Sequence, residues 1–374
     1  MHIVDTTMFY AAEGGGVGRY LAAKHDWLRR NSSIKHTIVA PGATDGITTN
    51  GVVTVASPSL PGSHGYRFPL RVGRWTRQLI EVEPDVIEVG DPYSPAWAAL
   101  RAGQALGVPV AAFFHSDLVR LVSTRLGTWT EPVLRRYIQS LYREFDLVMA
   151  PSRVIQHKLA ALGIGRLICQ PLGVDTKLFH PSRATSALRT KLGLPRDARL
   201  LIFAGRFARE KNLPIVLEAF KQLGQRYHLL LVGSGMTLPQ QANVTIYPYQ
   251  TSGEELARLI ASADALVHAG DQETFGLVVL EAMACGVPVI AANAGALAEL
   301  VTSDTGMLVQ PRDSAALVTA IEAFYERDVA QLGRQARKVV ETAYSWDTVM
   351  RSLTTRYAQL TVSATATSET YAAR

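Results

Sequence analysis

Three carboxylates stand at spacings that chemistry could use. Asp271 and Glu273 lie in a loop after an apolar run, Asp264 to His268, and Glu281 lies inside the helical run that opens at Phe275-Gly276-Leu277. The first N–H groups of a helix have no intrahelical partner, and the helix dipole adds positive potential there, so such a start binds anions, phosphates above all. Carboxylates beside a phosphate repel it. Their chemistry is then expected to be hydrogen bonding to sugar or ribose hydroxyls, the plainer alternative being a solvated pair of acids on an ordinary helix.

Cations come from elsewhere in the chain. The apolar run Leu200 to Ala204 leads into Gly205, Arg206 and, five residues on, Lys211. Gly205 clears space, and the forked Arg206 with the mobile Lys211 can meet at one diphosphate and stabilise it as it gains charge in leaving. A surface ion pair with Glu210 is the competing role. Gly233-Ser234-Gly235 forms a second permissive turn, and Gly14-Gly15-Gly16 a third. Consecutive glycines let backbone approach a ligand and offer N–H groups to anions, although the spacing is not the G-x-G-x-x-G of dinucleotide enzymes. His115 follows the apolar run Val108 to Phe114. No Asp-x-Asp metal motif occupies a suitable strand end, so no metal or other cofactor is expected.

The elements that must position these groups alternate between strand and helix patterns almost throughout. Strands are expected at Thr37–Ala40, Val52–Val55, Val86–Val89, Val108–Phe114, Leu147–Ala150, Leu167–Cys169, Leu200–Ala204, Leu229–Val232, Val244–Tyr249, Asp264–His268, Val287–Ala291 and Gly306–Val309. Alternation of this kind builds parallel sheets covered by helices, an α/β class whose ligands gather at the carboxyl ends of the strands. A polar stretch with Pro and Ser, Phe179 to Arg189, marks a boundary. It places an N-terminal domain at residues 1–180 and a C-terminal domain at 181–344. Ser345 caps a last helix, 345–362, with Val349, Leu353, Tyr357 and Leu360 on one face, and residues 363–374 are expected to form a disordered tail.

Bulk properties limit the function classes. A chain of 374 residues, 48% hydrophobic and 19% charged, suits two globular domains rather than disorder. No apolar run approaches the ~20 residues of a membrane span, and the start lacks a signal-peptide layout. With two cysteines only, a cytoplasmic location is expected. The formal charge is +6, and arginines crowd Tyr66–Arg77 and Arg120–Arg143 among Trp75, Trp129, Tyr137 and Tyr142. That mixture suits an anionic membrane surface or nucleic acid, against the plainer alternative of a solvated helix face.

Taken together, Gly205-Arg206 with Lys211, Gly233-Ser234-Gly235, and Glu273 eight residues before Glu281 resemble the retaining nucleotide-sugar glycosyltransferases of family 4. The likeness is close over residues 200–310 and looser over 1–180. It implies the GT-B fold: two Rossmann-like domains facing across a cleft, with 345–362 as a crossover helix. It implies Arg206 and Lys211 at the donor diphosphate, Glu281 at the ribose and Glu273 at the transferred sugar. His115 would contact that sugar, with backbone of Phe275, Gly276 and Leu277 at the β-phosphate. Gly15, Gly16, Gly205 and Ser234 would lie near the donor, and Tyr249 and Gln250 would read the base. A glycine usual in that last segment is replaced here by Tyr247-Pro248-Tyr249-Gln250.

The stretch His268–Gly276 and the run ending at His115 look most like bacterial α-mannosyltransferases. The implied donor is GDP-mannose, with a UDP-hexose such as UDP-glucose as the alternative. The implied acceptor is a saccharide or glycolipid, with peripheral contact of the N-terminal domain at the inner face of the membrane as a further expectation, and no nucleic-acid partner is implied. An epimerase or a non-catalytic nucleotide-sugar-binding protein on the same scaffold are the competing classes. A phosphorylase would need a lysine-bound pyridoxal group, for which no signature is present.

Overall fold

A computed structural model describes residues 1–10, 15–59, 67–195 and 197–372, with side chains described as far as 363. The chain divides into two compact units, Met1–Pro171 with Val349–Arg374, and Leu172–Thr348.

In the first unit the strands are β1 (His2–Thr6), β2 (Lys35–Gly42), β3 (Gly46–Ile47), β4 (Val53–Ala56), β5 (Val86–Val89), β6 (Val110–Phe113), β7 (Leu147–Ala150) and β8 (Leu167–Cys169). They form one sheet in the order β3-β4-β2-β1-β5-β6-β7-β8, parallel apart from the short β3. Hydrophobic residues occupy both faces of β5 and β6, as a sheet covered by helices on each side requires. The helix Ser94–Leu106 shows how local sequence sets an element: Pro95 sits in its first turn, alanines fill the buried face, and Gly107 ends it in the left-handed conformation at φ 70°. Trp75, Phe114, Tyr142 and Phe145 fill the core.

The second unit continues with β9 (Arg199–Ala204), β10 (Tyr227–Val232), β11 (Val244–Tyr247), β12 (Ala265–His268), β13 (Val289–Ala292) and β14 (Gly306–Val309). All pairs are parallel, in the order β11-β10-β9-β12-β13-β14. Strand order therefore grows outward in both directions from β9 and β12, the double winding of a Rossmann sheet, and the reversal point lies between those two strands. Phe203, Phe220, Leu231 and Phe324 centre its core. Four expected strands are shorter than their sequence patterns: β6 is confined to Val110–Phe113, after Pro109, β11 stops at Tyr247, before Pro248, β12 starts at Ala265, and β13 starts at Val289, after Pro288.

The division of the chain differs from the sequence boundary at residue 180. Residues 172–180 belong with the second unit because Val174 N–H bonds Tyr344 O at 2.8 Å and Arg337 reaches Phe179 O and Thr176 O. The last helix runs from Trp346 to Ala372, past residue 363, where a disordered tail was expected. Ser345 Oγ accepts from Thr348 N–H at its start. Val349, Met350, Leu353 and Tyr357 are buried, and from Val349 onward the helix belongs to the first unit. No helix among the described residues is long and apolar enough to cross a membrane.

Candidate active site

The loops that follow β9 and β12 carry Arg206 with Lys211, and Asp271 with Glu273. Because these strands are neighbours at the reversal point, residues more than sixty positions apart in sequence come together. Lys211 Nζ donates to Glu273 Oε1, and both side chains are 17% exposed. His268, the last residue of β12, presents Nε2 at 3.3 Å from the same carboxylate oxygen. Gly270 N–H donates to His268 Nδ1 at 3.2 Å, which leaves the ring proton on Nε2, facing Glu273. Burial alone would raise the Glu273 carboxyl strongly; Lys211 and His268 outweigh it and hold the group ionised, well below the usual carboxylate range.

Backbone contacts fix the loops themselves. Asn212, in the left-handed region at φ 51°, donates from Nδ2 to Ala269 O at 3.0 Å, tying the β9 loop to the β12 loop. Ala296 N–H donates to Glu273 O at 3.0 Å, and a Cβ on Gly295 would lie 2.8 Å from that oxygen. The turn after β13 thus braces Glu273 from behind. Asp271 is held by Arg312 Nε at 2.7 Å, while its Oδ1 is buried without a partner.

The turn Gly233-Ser234-Gly235 is laced to the β9 loop. Phe207 N–H donates to Ser234 O at 2.7 Å, Met236 N–H to Phe207 O at 2.8 Å, and Gly205 N–H to Val232 O at 2.9 Å. A Cβ on Gly233 would stand 1.9 Å from Gly205 O, and one on Gly235 2.4 Å from Phe207 O. These two glycines are needed for backbone-to-backbone packing within the protein, which a permissive turn for a ligand did not anticipate.

The helix Leu277–Ala284 begins after Gly276 in the left-handed conformation at φ 95°. It has neither a side-chain cap nor an acid in its first turn, so its leading N–H groups stay available for an anion. Phe275 is buried beside Tyr344, and Glu281 is 4% exposed on the second turn. Arg206 differs from Lys211: its side chain is 77% exposed and lies 3.4 Å from Glu210, the surface pairing that the sequence left open. Tyr249 is exposed and Gln250 Nε2 donates to Pro248 O, both beyond the end of β11.

Three expected site residues belong to the first unit. Gly15, extended at φ −159°, precedes the helix Gly16–Asn31, which lacks a side-chain cap and an acidic first turn. Glu13 and Gly14 lie outside the described residues. His115 follows β6 with its ring stacked on Phe113 at 4.3 Å; Nε2 is enclosed without a partner, and burial pushes the imidazole down to about 3, so it is neutral. In the same unit, Asp91 lies two residues past β5 and accepts from Thr7 Oγ1 and Met8 N–H; burial raises it to about 6.

His268 is the residue that the sequence reading passed over. The signal was available, since His268 ends a strand just as His115 follows one. Its acceptor from Gly270 and its approach to Glu273 required the folded loop.

Fold and site define a class of protein: a doubly wound α/β enzyme scaffold with cations, an uncapped helix start and a carboxylate gathered at a sheet's reversal point. Comparison makes that class specific. Residues 185–346 match the profile of "Glycosyl transferases group 1" and residues 14–178 that of "Glycosyltransferase Family 4". A GDP-mannose-dependent alpha-mannosyltransferase of Mycolicibacterium smegmatis is 31% identical over 281 residues, 74% of this chain and 73% of that protein. A GDP-mannose-dependent alpha-(1-6)-phosphatidylinositol dimannoside mannosyltransferase of Mycobacterium tuberculosis is 26% identical over 97% of both chains. A sulfoquinovosyl transferase of Arabidopsis thaliana is 28% identical over 79% of this chain, which spans 61% of that longer protein. Among solved structures, sucrose-phosphate synthase from Thermosynechococcus elongatus superposes with a TM-score of 0.80 at 22% identity, covering 97% of this chain and 100% of that one. The chain belongs to the family 4, group 1 glycosyltransferases, and its fold is of the GT-B type.

Proposed function

We propose that this enzyme moves a hexosyl group, with retention at the anomeric carbon, from a nucleoside-diphosphate sugar to a hydroxyl of a saccharide or lipid-linked acceptor. GDP-mannose is the favoured donor, supported by the GDP-mannose-dependent relatives. The observation that carries the reading is the pairing of Lys211 with Glu273 beside the uncapped start of the helix Leu277–Ala284.

Each group has a role suited to its surroundings. The helix start and Lys211 hold the β-phosphate; an ammonium has three donors and Glu273 occupies one. Arg206, exposed beside Glu210, closes on the diphosphate through its fork. Glu273 is ionised, and Lys211 and His268 both approach its Oε1, so Oε2 is the oxygen that accepts from a sugar hydroxyl. Glu281 accepts from the ribose hydroxyls, the backbone at Gly205 and Ser234 lies along the donor, and Tyr249 and Gln250 border the base.

In the reaction the bond between C1 and the β-phosphate oxygen breaks and the acceptor oxygen bonds C1 on the same face. The acceptor proton passes to the departing β-phosphate, and the products are the glycoside and the nucleoside diphosphate. No protein group attacks. Arg206 and Lys211 neutralise the leaving diphosphate, so the transfer is metal-independent. Calorimetric titration with GDP and UDP, followed by assays of GDP-mannose and UDP-glucose turnover, tests the proposal. Tighter binding of GDP and turnover of GDP-mannose are expected. Preference for UDP would overturn the donor, and binding of neither nucleotide would overturn the site.

A further inference from the structure

Two buried side-chain atoms of the second unit lack a hydrogen-bond partner among the described residues, and both stand just before Glu273: His268 Nε2 and Asp271 Oδ1. His268 Nε2 has the Glu273 carboxylate 3.3 Å away, whereas Asp271 Oδ1 is an orphan acceptor. Buried polar atoms are almost always satisfied in native proteins, so an orphan oxygen on a binding loop points to a partner supplied from outside. The rest of the carboxylate is fixed. Arg312 Nε donates to Asp271 Oδ2 at 2.7 Å, and the Asp271 side chain is 12% exposed. Arg312 comes from the loop after β14, two strands from β12 in the sheet, and takes the left-handed conformation at φ 60°, which a residue with a side chain adopts at a cost. Between the two loops lies the turn after β13, where a Cβ on Gly295 would stand 3.7 Å from Asp271 O. Three neighbouring loops thus hold one carboxylate oxygen and leave the other without a donor.

Charge selects the kind of partner. A carboxylate oxygen only accepts, so the missing partner carries an O–H or N–H. A phosphate is repelled at this position, and a sugar hydroxyl fits it. Lys211 is committed to Glu273 and, in the proposed reaction, to the β-phosphate, while Arg312 is committed to Asp271. An acid group on the sugar would therefore meet two carboxylates with no cation of its own. We propose that Asp271, positioned by Arg312, determines donor specificity: Oδ1 accepts from a hydroxyl of the transferred sugar, which is an uncharged hexose and not a hexuronic acid. The proposal rests on the reading of this loop as the sugar side of the donor site.

Steady-state kinetics of the full chain with GDP-mannose and UDP-glucose, beside calorimetric titration with GDP and UDP, test it. With the donor that the parent turns over, Asp271→Ala should lower kcat/KM by about tenfold or more, the range of a hydrogen bond to a charged group, while nucleoside diphosphate affinity stays within about threefold. Asp271→Asn, which keeps the shape and an acceptor oxygen, should fall between the two. Donor analogues that each lack one sugar hydroxyl separate a contact from a structural role. The parent should lose about tenfold or more with one of them, and Asp271→Ala should turn that analogue over as well as the complete donor. The hexuronic acid donor of the same nucleotide should react at least about 100-fold more slowly than the hexose donor. Parent-like kcat/KM in Asp271→Ala would overturn the proposal, as would equal penalties in parent and variant with every analogue, or hexuronic acid transfer at the hexose rate. Loss of nucleotide affinity as large as the loss of kcat/KM in both variants would also overturn it. If neither nucleotide binds the parent, the donor-site reading falls and this proposal with it; if a nucleotide binds and the kinetics fail, only the role of Asp271 falls.

Discussion

Lys211 Nζ donates to Glu273 Oε1, joining the loops after β9 and β12 across the reversal point of the second sheet. The pair sets both the charge state of the carboxylate and the position of the ammonium. Lys211→Met should therefore do two kinds of damage, removing a phosphate donor and leaving Glu273 buried without its cation. We expect turnover of the nucleotide sugar to fall by a factor of about 100 or more. Glu273→Gln should instead leave nucleoside diphosphate affinity within about threefold, because it changes the sugar side and spares the cation. Titration of both variants with GDP, beside steady-state rates, checks the split, and equal losses of GDP affinity in the two would contradict it.

Arg206→Ala is expected to lower kcat by about 100-fold while shifting the melting temperature by no more than about 1 °C. The side chain is 77% exposed, so folding does not depend on it. Circular dichroism melts and donor-turnover rates test both halves. A rate near that of the parent would remove Arg206 from the diphosphate site.

Acid should uncouple the pair. The Glu273 carboxyl is depressed in the folded protein, so its contribution to stability is present above the unfolded value of 4.5 and is lost as pH falls below that value. Asp91 has the opposite sign. Burial raises it from 3.8 to about 6, so the folded state holds its proton longer, and its contribution is lost as pH rises through that interval. In Asp91→Asn, the melting temperature relative to the parent should climb between about pH 4 and pH 6 and stay level above. Differential scanning calorimetry across that range is the check, and a constant difference would refute the assignment.

Lys24 anchors the last helix to the first sheet. Its Nζ lies 2.8 Å from Asp5 Oδ1, 3.2 Å from Glu88 Oε2 and 2.7 Å from Tyr357 OH, all buried. One cation faces two acids: Asp5, also paired with His36, is held ionised, while burial lifts Glu88 to about 7. Lys24→Met should cost about 3 kcal/mol, since it strands two carboxylates in the interior. Tyr357→Phe, which removes one hydroxyl from a satisfied network, should cost about 1 kcal/mol. Urea unfolding followed in the first unit would rank the two, and the reverse order would contradict this account.

Much of the scaffold was legible in the chain. Runs such as Leu200–Ala204 and Leu229–Val232 are apolar on both faces because their sheet is covered on both sides, and each expected strand is present within a few residues. Ser252, Asp313 and Asp328 accept from the first turns of their helices, the same kind of local signal as the cap read at Ser345. The two-residue β3 was not legible, because Gly46-Ile47 has no periodicity to detect. Nor was the fate of Trp75 and Trp129. Both sit among arginines in the sequence, and only packing buries one and exposes the other.

What the sequence determined by itself was the kind of chemistry: two cations after one strand, carboxylates after another, and a helix start without an acidic first turn. Those are properties of residue type and local order, set within a dozen positions of chain. The tertiary structure decided which groups meet. Strand order placed β9 beside β12 and so brought Lys211 to Glu273, while backbone contacts at Gly233 and Gly295 fixed the loops that hold them. His268 acquired its role the same way, through a bond from Gly270 that turns Nε2 toward the carboxylate. Local sequence cannot specify such pairings, because they depend on which strands lie side by side, and that is settled by packing of the whole sheet.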